Sequence, residues 1–421
     1  VMKYAKNSSW MLAEYSLKII SAIFVTIYVA RYLGPEQFGL ISYALAIVAI
    51  VSAISRLGME SILVRDIAKY PKQQQAYLGT AFTLMLIAAT TGLMLISGLI
   101  YWLETDPKMQ LYIWIIAIGI LFQTFLAIDY NFQAQVKVKY SSIAKSIALG
   151  IGAIIKIYLV WIQAEIWLFA AAYATDAAII ATTLLFTHWL KKQPSFIGIF
   201  QPDLVKPLLK SAWPMVLTAL AVILYMRIDQ VMIMNMLGSD DLGLYVAASK
   251  ILEAIVMISY VITLSIIPLL VSLKKSEEFY FYLSKIYGVL FWLFVLIGFA
   301  VTLFSEAIVV LVFGEMYIES VGVLQIIIWV TVFSVINSLN ARYFTIQGFE
   351  KKIALRTFLA LSVNIILNLY LIPVYGIKGA AVATLISTFV SAIAIDLFDK
   401  DLKKFNRAKY HGFLIMKFKE K

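Results

Sequence analysis

Twelve apolar stretches, each long enough to be a membrane-crossing helix, recur along the 421 residues with short polar breaks between them. They lie near 10–33, 38–57, 79–103, 111–130, 143–161, 167–189, 212–237, 243–270, 286–304, 323–346, 353–373 and 377–398. About 20 apolar residues are needed per helical crossing. A helix also satisfies its own backbone groups where no water can. The pattern therefore predicts an all-α polytopic membrane protein with 12 transmembrane helices.

The polar breaks alternate in charge. Lys and Arg fill the N-terminus (Lys3, Lys6), every second loop (Arg56, Arg65, Lys69, Lys72; Lys137, Lys139; Lys191, Lys192, Lys206, Lys210; Lys274, Lys275, Lys285; Lys351, Lys352) and the tail from Lys400 to Lys421. These positions hold 25 basic residues, and the intervening loops hold three, Arg31, Lys108 and Lys378. Because basic loops resist translocation, both termini are expected in the cytoplasm. The opposite side is acidic, with Glu104, Asp106, Glu165, Asp240, Asp241, Glu306, Glu315 and Glu319.

Composition agrees with this picture. The hydrophobic fraction is 62% and the mean hydropathy +0.90, against roughly 45–50% apolar residues in a soluble domain. The net charge of +11 follows from the topology. It implies contact with anionic membrane lipids, not nucleic acid. The longest non-spanning pieces, near 188–211 and 399–421, fall short of the 50 or so residues of an independent domain, so no soluble catalytic domain is expected and the chain does not read as an enzyme. Cysteine is absent and the two histidines, His188 and His411, are far apart in sequence; neither a disulfide, a His/Cys metal site nor any other cofactor is expected. There is no G-x-x-x-x-G-K-[ST] stretch for ATP. The energy for any transport must come from a gradient, the membrane potential or consumption of the substrate. Trp10, Trp102, Trp114, Trp161, Trp167, Trp189 and Trp213 fall at or near span ends, the usual place of an interfacial aromatic belt.

One internal repeat is visible. Residues 28–48 read YVARYLGPEQFGLISYALAIV, and 232–252, displaced by 204 positions, read MIMNMLGSDDLGLYVAASKIL. Leu33/Leu237, Gly34/Gly238, Gly39/Gly243, Leu40/Leu244 and Ala44/Ala248 coincide. Such glycines permit a positive φ and close helix approach. One copy joins spans 1 and 2 and the other spans 7 and 8. The even offset of six predicts two six-helix lobes of the same orientation, an N-terminal lobe over 1–200 and a C-terminal lobe over 201–421, with the substrate path between them.

Charges inside the spans mark candidate sites. A Lys, Arg or Asp near a helix centre costs about 2.5–3.5 kcal/mol on insertion scales and generally faces a wet cavity or a partner. Asp129, Lys145, Arg342, Arg356 and Asp396 lie close enough to cytoplasmic span ends to snorkel. Arg227 and Asp229 sit deep in span 7 and, two residues apart, point in different directions. Lys250 and Glu253 in span 8 are three apart and can pair. Lys18 has Glu14 four residues before it. Lys156 in span 5 and Asp176 in span 6 read as a salt bridge within the N-terminal lobe, with proton or Na⁺ coupling as the sharper alternative. Lys18, Arg31, Arg56, Arg227 and Lys250 together suggest a cationic cavity between the lobes, and Arg in particular matches phosphate oxygens.

The segments ARYLGPEQFGLISYA (30–44), WPMVLTALAVILYMRIDQVMIMNMLGSDDLGLYVAASKILEAI (213–255), LVFGEMYIESVGVL (311–324) and YGIKGAAVATLIS (375–387) resemble those of Wzx-type polysaccharide flippases of the MOP exporter superfamily. Arg227-x-Asp229, the Gly243-Leu244-Tyr245 run and Lys250-x-x-Glu253 favour that branch over the multidrug exporters. The resemblance implies a MATE-like fold of twelve helices in two lobes that open alternately. It also implies a secondary transporter of the bacterial inner membrane. The implied substrate is an undecaprenyl-pyrophosphate-linked oligosaccharide repeat unit, as in O-antigen and lipopolysaccharide assembly. On that reading Lys18, Arg31, Arg56, Arg227 and Lys250 bind the pyrophosphate, and Asp176, Asp229 and Glu253 are carboxylates for an ion pair or for H⁺ or Na⁺ coupling. Two rivals stand beside it. A multidrug or organic-cation exporter on the same fold predicts a cavity dominated by acidic residues. A membrane-embedded polysaccharide polymerase needs a large extramembrane loop.

Overall fold

The computed structural model describes residues 2–104, 106–274, 278–397 and 399–414, with the side chains of 2–9, 11–13, 15–20, 22, 103, 350 and 400 outside that description. Lys275 and the tail lysines Lys417, Lys419 and Lys421 lie outside the described residues, as do the side chains of Lys3, Lys6 and Lys18. The described residues form helices and contain no strand. The all-α membrane class is thus the observed one.

Ten helices among the described residues are long and apolar enough to cross a membrane, against the twelve expected. The difference lies in two stretches of 47 residues, Ile23–Lys69 and Lys351–Leu397. At 1.5 Å per residue each would extend roughly 70 Å as one helix, more than twice a hydrocarbon core of about 30 Å. Each is interrupted by a glycine outside helical space, Gly34 at φ 72°, ψ 172° and Gly376 at φ 59°, ψ −143°. These conformations are open to glycine and strained for other residues.

The repeat has a structural reason. Gly238, the counterpart of Gly34, also has positive φ, at 110° with ψ −175°. Gly39 and Gly243 make a reciprocal close approach: a Cβ on Gly39 would sit 1.8 Å from the Ser239 carbonyl oxygen, and one on Gly243 would sit 1.9 Å from that of Pro35. Pro35 and Ser239 occupy equivalent positions of the two copies. The two segments therefore cross backbone to backbone about a local two-fold relation that a single methyl would break.

The chain forms two compact units. One comprises Val1–Leu33 with Leu40–Arg227, the other Gly34–Gly39 with Ile228–Lys421. In the first, the short helix Met59–Lys69 turns Met59, Ile62, Leu63 and Ile67 onto Ile128, Phe132, Leu184 and Phe196. In the second, Tyr287, Phe294, Leu339, Tyr343 and Phe344 gather around Phe405. Phe405 belongs to helix Lys403–Phe413, within the piece expected to be a non-spanning tail. That helix crosses helix Phe279–Leu303 where two glycines meet, since a Cβ on Gly412 would lie 2.3 Å from the Ser284 carbonyl oxygen. Trp102, Trp161, Trp189 and Trp213 are strongly exposed, as residues of an aromatic belt would be.

Four charges expected to snorkel turn inward instead. Lys145 bridges Asp129 and Glu14, at 2.8 Å each. Glu14 also accepts from Ser142 Oγ at 2.7 Å, so its carboxylate serves span 5; the pair expected between Glu14 and Lys18 falls outside the described residues. Asp396, fully buried, accepts from both Arg356 and Lys409. Inside a bundle these ions exchange the cost of reaching water for partners at hand. Arg342 instead lies over the Tyr260 ring, 4.8 Å from its centroid.

Candidate functional site

The site begins where the second apolar stretch ends. Helix Met2–Ser55 stops one residue before Arg56, and the next two residues, Leu57 at φ 51° and Gly58 at φ 57°, are both left-handed. Two successive left-handed residues, one with a Cβ, are costly and persist where surrounding packing fixes them. Here the packing is Met215, whose Cβ would lie 2.4 Å from a Cβ on Gly58. The turn holds Arg56 at the rim of a cavity of about 960 Å³ within the first unit. Its lining also carries Glu60, Arg65, Gln123, Gln133 and Tyr173.

Arg56 Nε donates to Gln123 Oε1 at 3.0 Å, and Gln123 Nε2 donates to Ser52 Oγ at 3.5 Å. Arg65, by contrast, is forked onto Asp66 at 2.7 and 3.0 Å. Its charge is thereby spoken for, whereas the amide partner of Arg56 leaves that cation uncancelled.

A smaller cavity of about 210 Å³ adjoins Lys156 and Asp176, and Tyr173 lines both cavities. Lys156 donates to Asp176 and stands 4.7 Å from the centroid of the Tyr173 ring. Gly152 makes room for this pair, because a Cβ there would fall 2.2 Å from the Asp176 carboxylate. The salt bridge expected within this part of the chain is therefore present.

The second unit has its own polar track. Asp229, buried, accepts from the Tyr245 hydroxyl and from the Gln230 backbone N–H at 2.8 Å. Beyond Tyr245 lie Thr384 Oγ1 at 3.5 Å, then Asn364, whose amide donates to Thr384 at 3.3 Å, and Asn368, which donates to Asn364 at 3.1 Å. Asn368 Oδ1 is buried without a hydrogen-bond partner among the described residues. Lys250 and Glu253 pair at 2.7 Å, as their spacing allows.

Of the five basic positions singled out in the sequence, Arg56 lines the larger cavity. Arg31 is exposed on helix Met2–Ser55 and Arg227 is partly buried on helix Pro202–Met236. Lys250 is bound to Glu253, and the side chain of Lys18 lies outside the described residues. Sequence reasoning passed over Gln123, Glu60 and the cavity role of Arg65. The signal for Gln123 was an amide within the apolar run GILFQTFLAID.

The family model described as polysaccharide biosynthesis protein matches residues 4–274, more than half of the sequence. The chain belongs to that family. A relative named "Putative O-antigen transporter", from Shigella flexneri, is 24% identical over 414 residues, covering 94% of this chain and 97% of its own. Among solved structures, the lipid II flippase MurJ in an inward closed conformation aligns at a TM-score of 0.76 and 14% identity, covering 97% of this chain and 93% of its own. An inward-facing multidrug resistance MATE transporter of the MOP superfamily aligns at 0.72 and 16% identity, covering 95% and 98%. The polysaccharide biosynthesis family member thus has the MOP fold, and the kinship with Wzx-type flippases read from 30–44, 213–255, 311–324 and 375–387 stands. Its helices are those of a multi-pass membrane protein.

Proposed function

We propose that this chain is a flippase for undecaprenyl-pyrophosphate-linked oligosaccharide repeat units, carrying them from the cytoplasmic to the outer leaflet of a bacterial inner membrane by alternating access. The observation that carries the reading is Arg56, a cation on a strained turn at the rim of a cavity of about 960 Å³, held by a neutral amide. A diphosphate needs such an uncancelled, forked donor. Gln133, Glu60 and the serines of the same lining supply groups that hydrogen-bond sugar hydroxyls. Arg31, Arg227, Lys250 and Lys18 are further stations for the anionic headgroup. The lobes are assigned to 1–200 and 201–421, with both termini cytoplasmic as the 25-to-3 distribution of basic residues favours. Anionic lipids face the basic side.

Asp176, Asp229 and Glu253 are the carboxylates for coupling to H⁺ or Na⁺. Asp229 suits a bound ion best, since the nearby side-chain oxygens of Tyr245, Thr384 and Asn364 form a polar track. Asp176 and Glu253 are each tied to a lysine and suit a protonation step that opens the pair.

The test is complementation of a strain lacking its own repeat-unit flippase. Arg56→Ala should abolish surface glycan while Arg56→Lys retains a fraction, with protein levels and drug sensitivity unchanged. Wild-type glycan in Arg56→Ala would overturn the site, and a change confined to drug sensitivity would favour a multidrug exporter.

A further inference from the structure

We infer that Gln123 is a positioning residue that presents the end-on edge of the Arg56 guanidinium to a diphosphate. This rests on the flippase reading and deepens it. A guanidinium offers five N–H donors, one on Nε and four on the terminal nitrogens. Gln123 Oε1 takes the Nε proton at 3.0 Å, and Ser52 Oγ accepts from Gln123 Nε2 at 3.5 Å. Ser52, Gln123 and Arg56 all line the cavity. The relay stops rotation of the guanidinium about its stem and leaves the Nη1/Nη2 edge as the fork. A fork of that geometry donates two parallel hydrogen bonds to a pair of phosphoryl oxygens, which a diphosphate supplies.

The choice of glutamine is itself informative. Arg65, Lys145, Lys156, Lys250, Arg356 and Lys409 are each held by a carboxylate. Each of those cations has an anion in contact with it. An amide orients without neutralising, so Arg56 keeps its charge for a ligand. Arg56 is also placed by a break in the backbone. Arg56 precedes the left-handed pair Leu57–Gly58, and Gln123 faces it from the spanning stretch Pro107–Ala134.

The experiment uses the full chain in nanodiscs and measures binding of geranylgeranyl diphosphate and geranylgeranyl monophosphate by tryptophan fluorescence. Gln123→Met keeps the length and loses both hydrogen bonds. It should weaken diphosphate binding about tenfold, the loss expected for one hydrogen bond to a charged group. Monophosphate binding should weaken as well, because the same fork meets the oxygens of either headgroup. Gln123→Glu changes one atom pair and should weaken both probes, because a carboxylate cancels the Arg56 charge; this variant decides the matter if Gln123→Met does not fold. Wild-type affinity for the diphosphate in Gln123→Met, or in Gln123→Glu, overturns the inference. Arg56→Ala separates the two levels. Loss of binding there with wild-type behaviour in both Gln123 variants leaves the flippase reading standing without the relay, and wild-type binding in Arg56→Ala removes the anion site itself.

Discussion

At the scale of single residues, the buried Arg356–Asp396–Lys409 group sets the sharpest expectation. Asp396 and Lys409 are fully buried and Arg356 is nearly so. Burial pushes the Lys409 ammonium below its ordinary value, and the Asp396 carboxylate pulls it partly back. Two cations share one anion, so the three positions are not equivalent. Asp396→Asn leaves two buried cations facing each other and should cost about 3–5 kcal/mol, the range for breaking a buried pair. Lys409→Met leaves the Arg356–Asp396 pair intact and should cost far less. The double variant should recover part of the loss, because one unpaired cation has gone. Thermal unfolding of the full chain in detergent checks all three, and equal costs for Asp396→Asn and Lys409→Met would refute the charge argument. This group also shows where the sequence was opaque. Lys250–Glu253 could be read from a spacing of three, and Lys156–Asp176 from two deep charges in neighbouring spans. Positions 356, 396 and 409 share no such spacing. Arg356 and Asp396 looked like residues reaching for water, and Lys409 looked like part of a tail.

At the scale of elements, glycines separate into two kinds with opposite expected responses. Gly39 and Gly243 face carbonyl oxygens at 1.8 and 1.9 Å from a notional Cβ, while Gly98 and Gly150, also helical, have open space around them. Alanine ordinarily stabilises a helix interior by about 1 kcal/mol relative to glycine. Gly98→Ala and Gly150→Ala should therefore raise the thermal midpoint or leave it unchanged. Gly39→Ala and Gly243→Ala should lower it, because backbone on the other strand of the crossing must retreat. If the four substitutions behave alike, the reciprocal crossing does not stabilise the protein. The repeat made Gly34 and Gly238 legible as turn glycines and pointed to close approach at the second pair. It could not indicate that the two copies meet each other, since a repeat fixes equivalence and not contact. Span ends were legible for a different reason: basic loops alternate with apolar runs whatever the helices pack against. A change of helix type inside a span, such as the π-helical turn Val390–Ala394, leaves no mark in hydropathy because the residues on either side stay apolar.

At the scale of the whole molecule, the proposed diphosphate substrate sets a direction of transport that can be measured. The class, the alternation of loop charge and the family were open to reading because each is a sum over many residues. The sugar was not, because amides and hydroxyls such as those of Gln133 and Thr218 bond any hydroxyl-rich ligand. The charge of the headgroup, by contrast, has a consequence independent of its sugars. A diphosphate carrying about two negative charges gains roughly 2.3 kcal/mol per charge per 100 mV when it leaves an interior-negative compartment, about 4.6 kcal/mol in total. That is enough to drive net export without a gradient of any other ion. In proteoliposomes holding a potassium diffusion potential, a fluorescent polyprenyl diphosphate should therefore accumulate in the outer leaflet when the interior is negative and in the inner leaflet when the sign is reversed. A flux that follows a Na⁺ or proton gradient and ignores the potential would require that cations leave together with each headgroup, so that the step moves no net charge. Asp229→Asn should then abolish the ion dependence, whereas under a purely potential-driven cycle it should leave the response to voltage in place. The two outcomes divide the coupling carboxylates from the anion stations: Arg56→Ala removes flux under either regime, and Asp229→Asn does so in one of them alone.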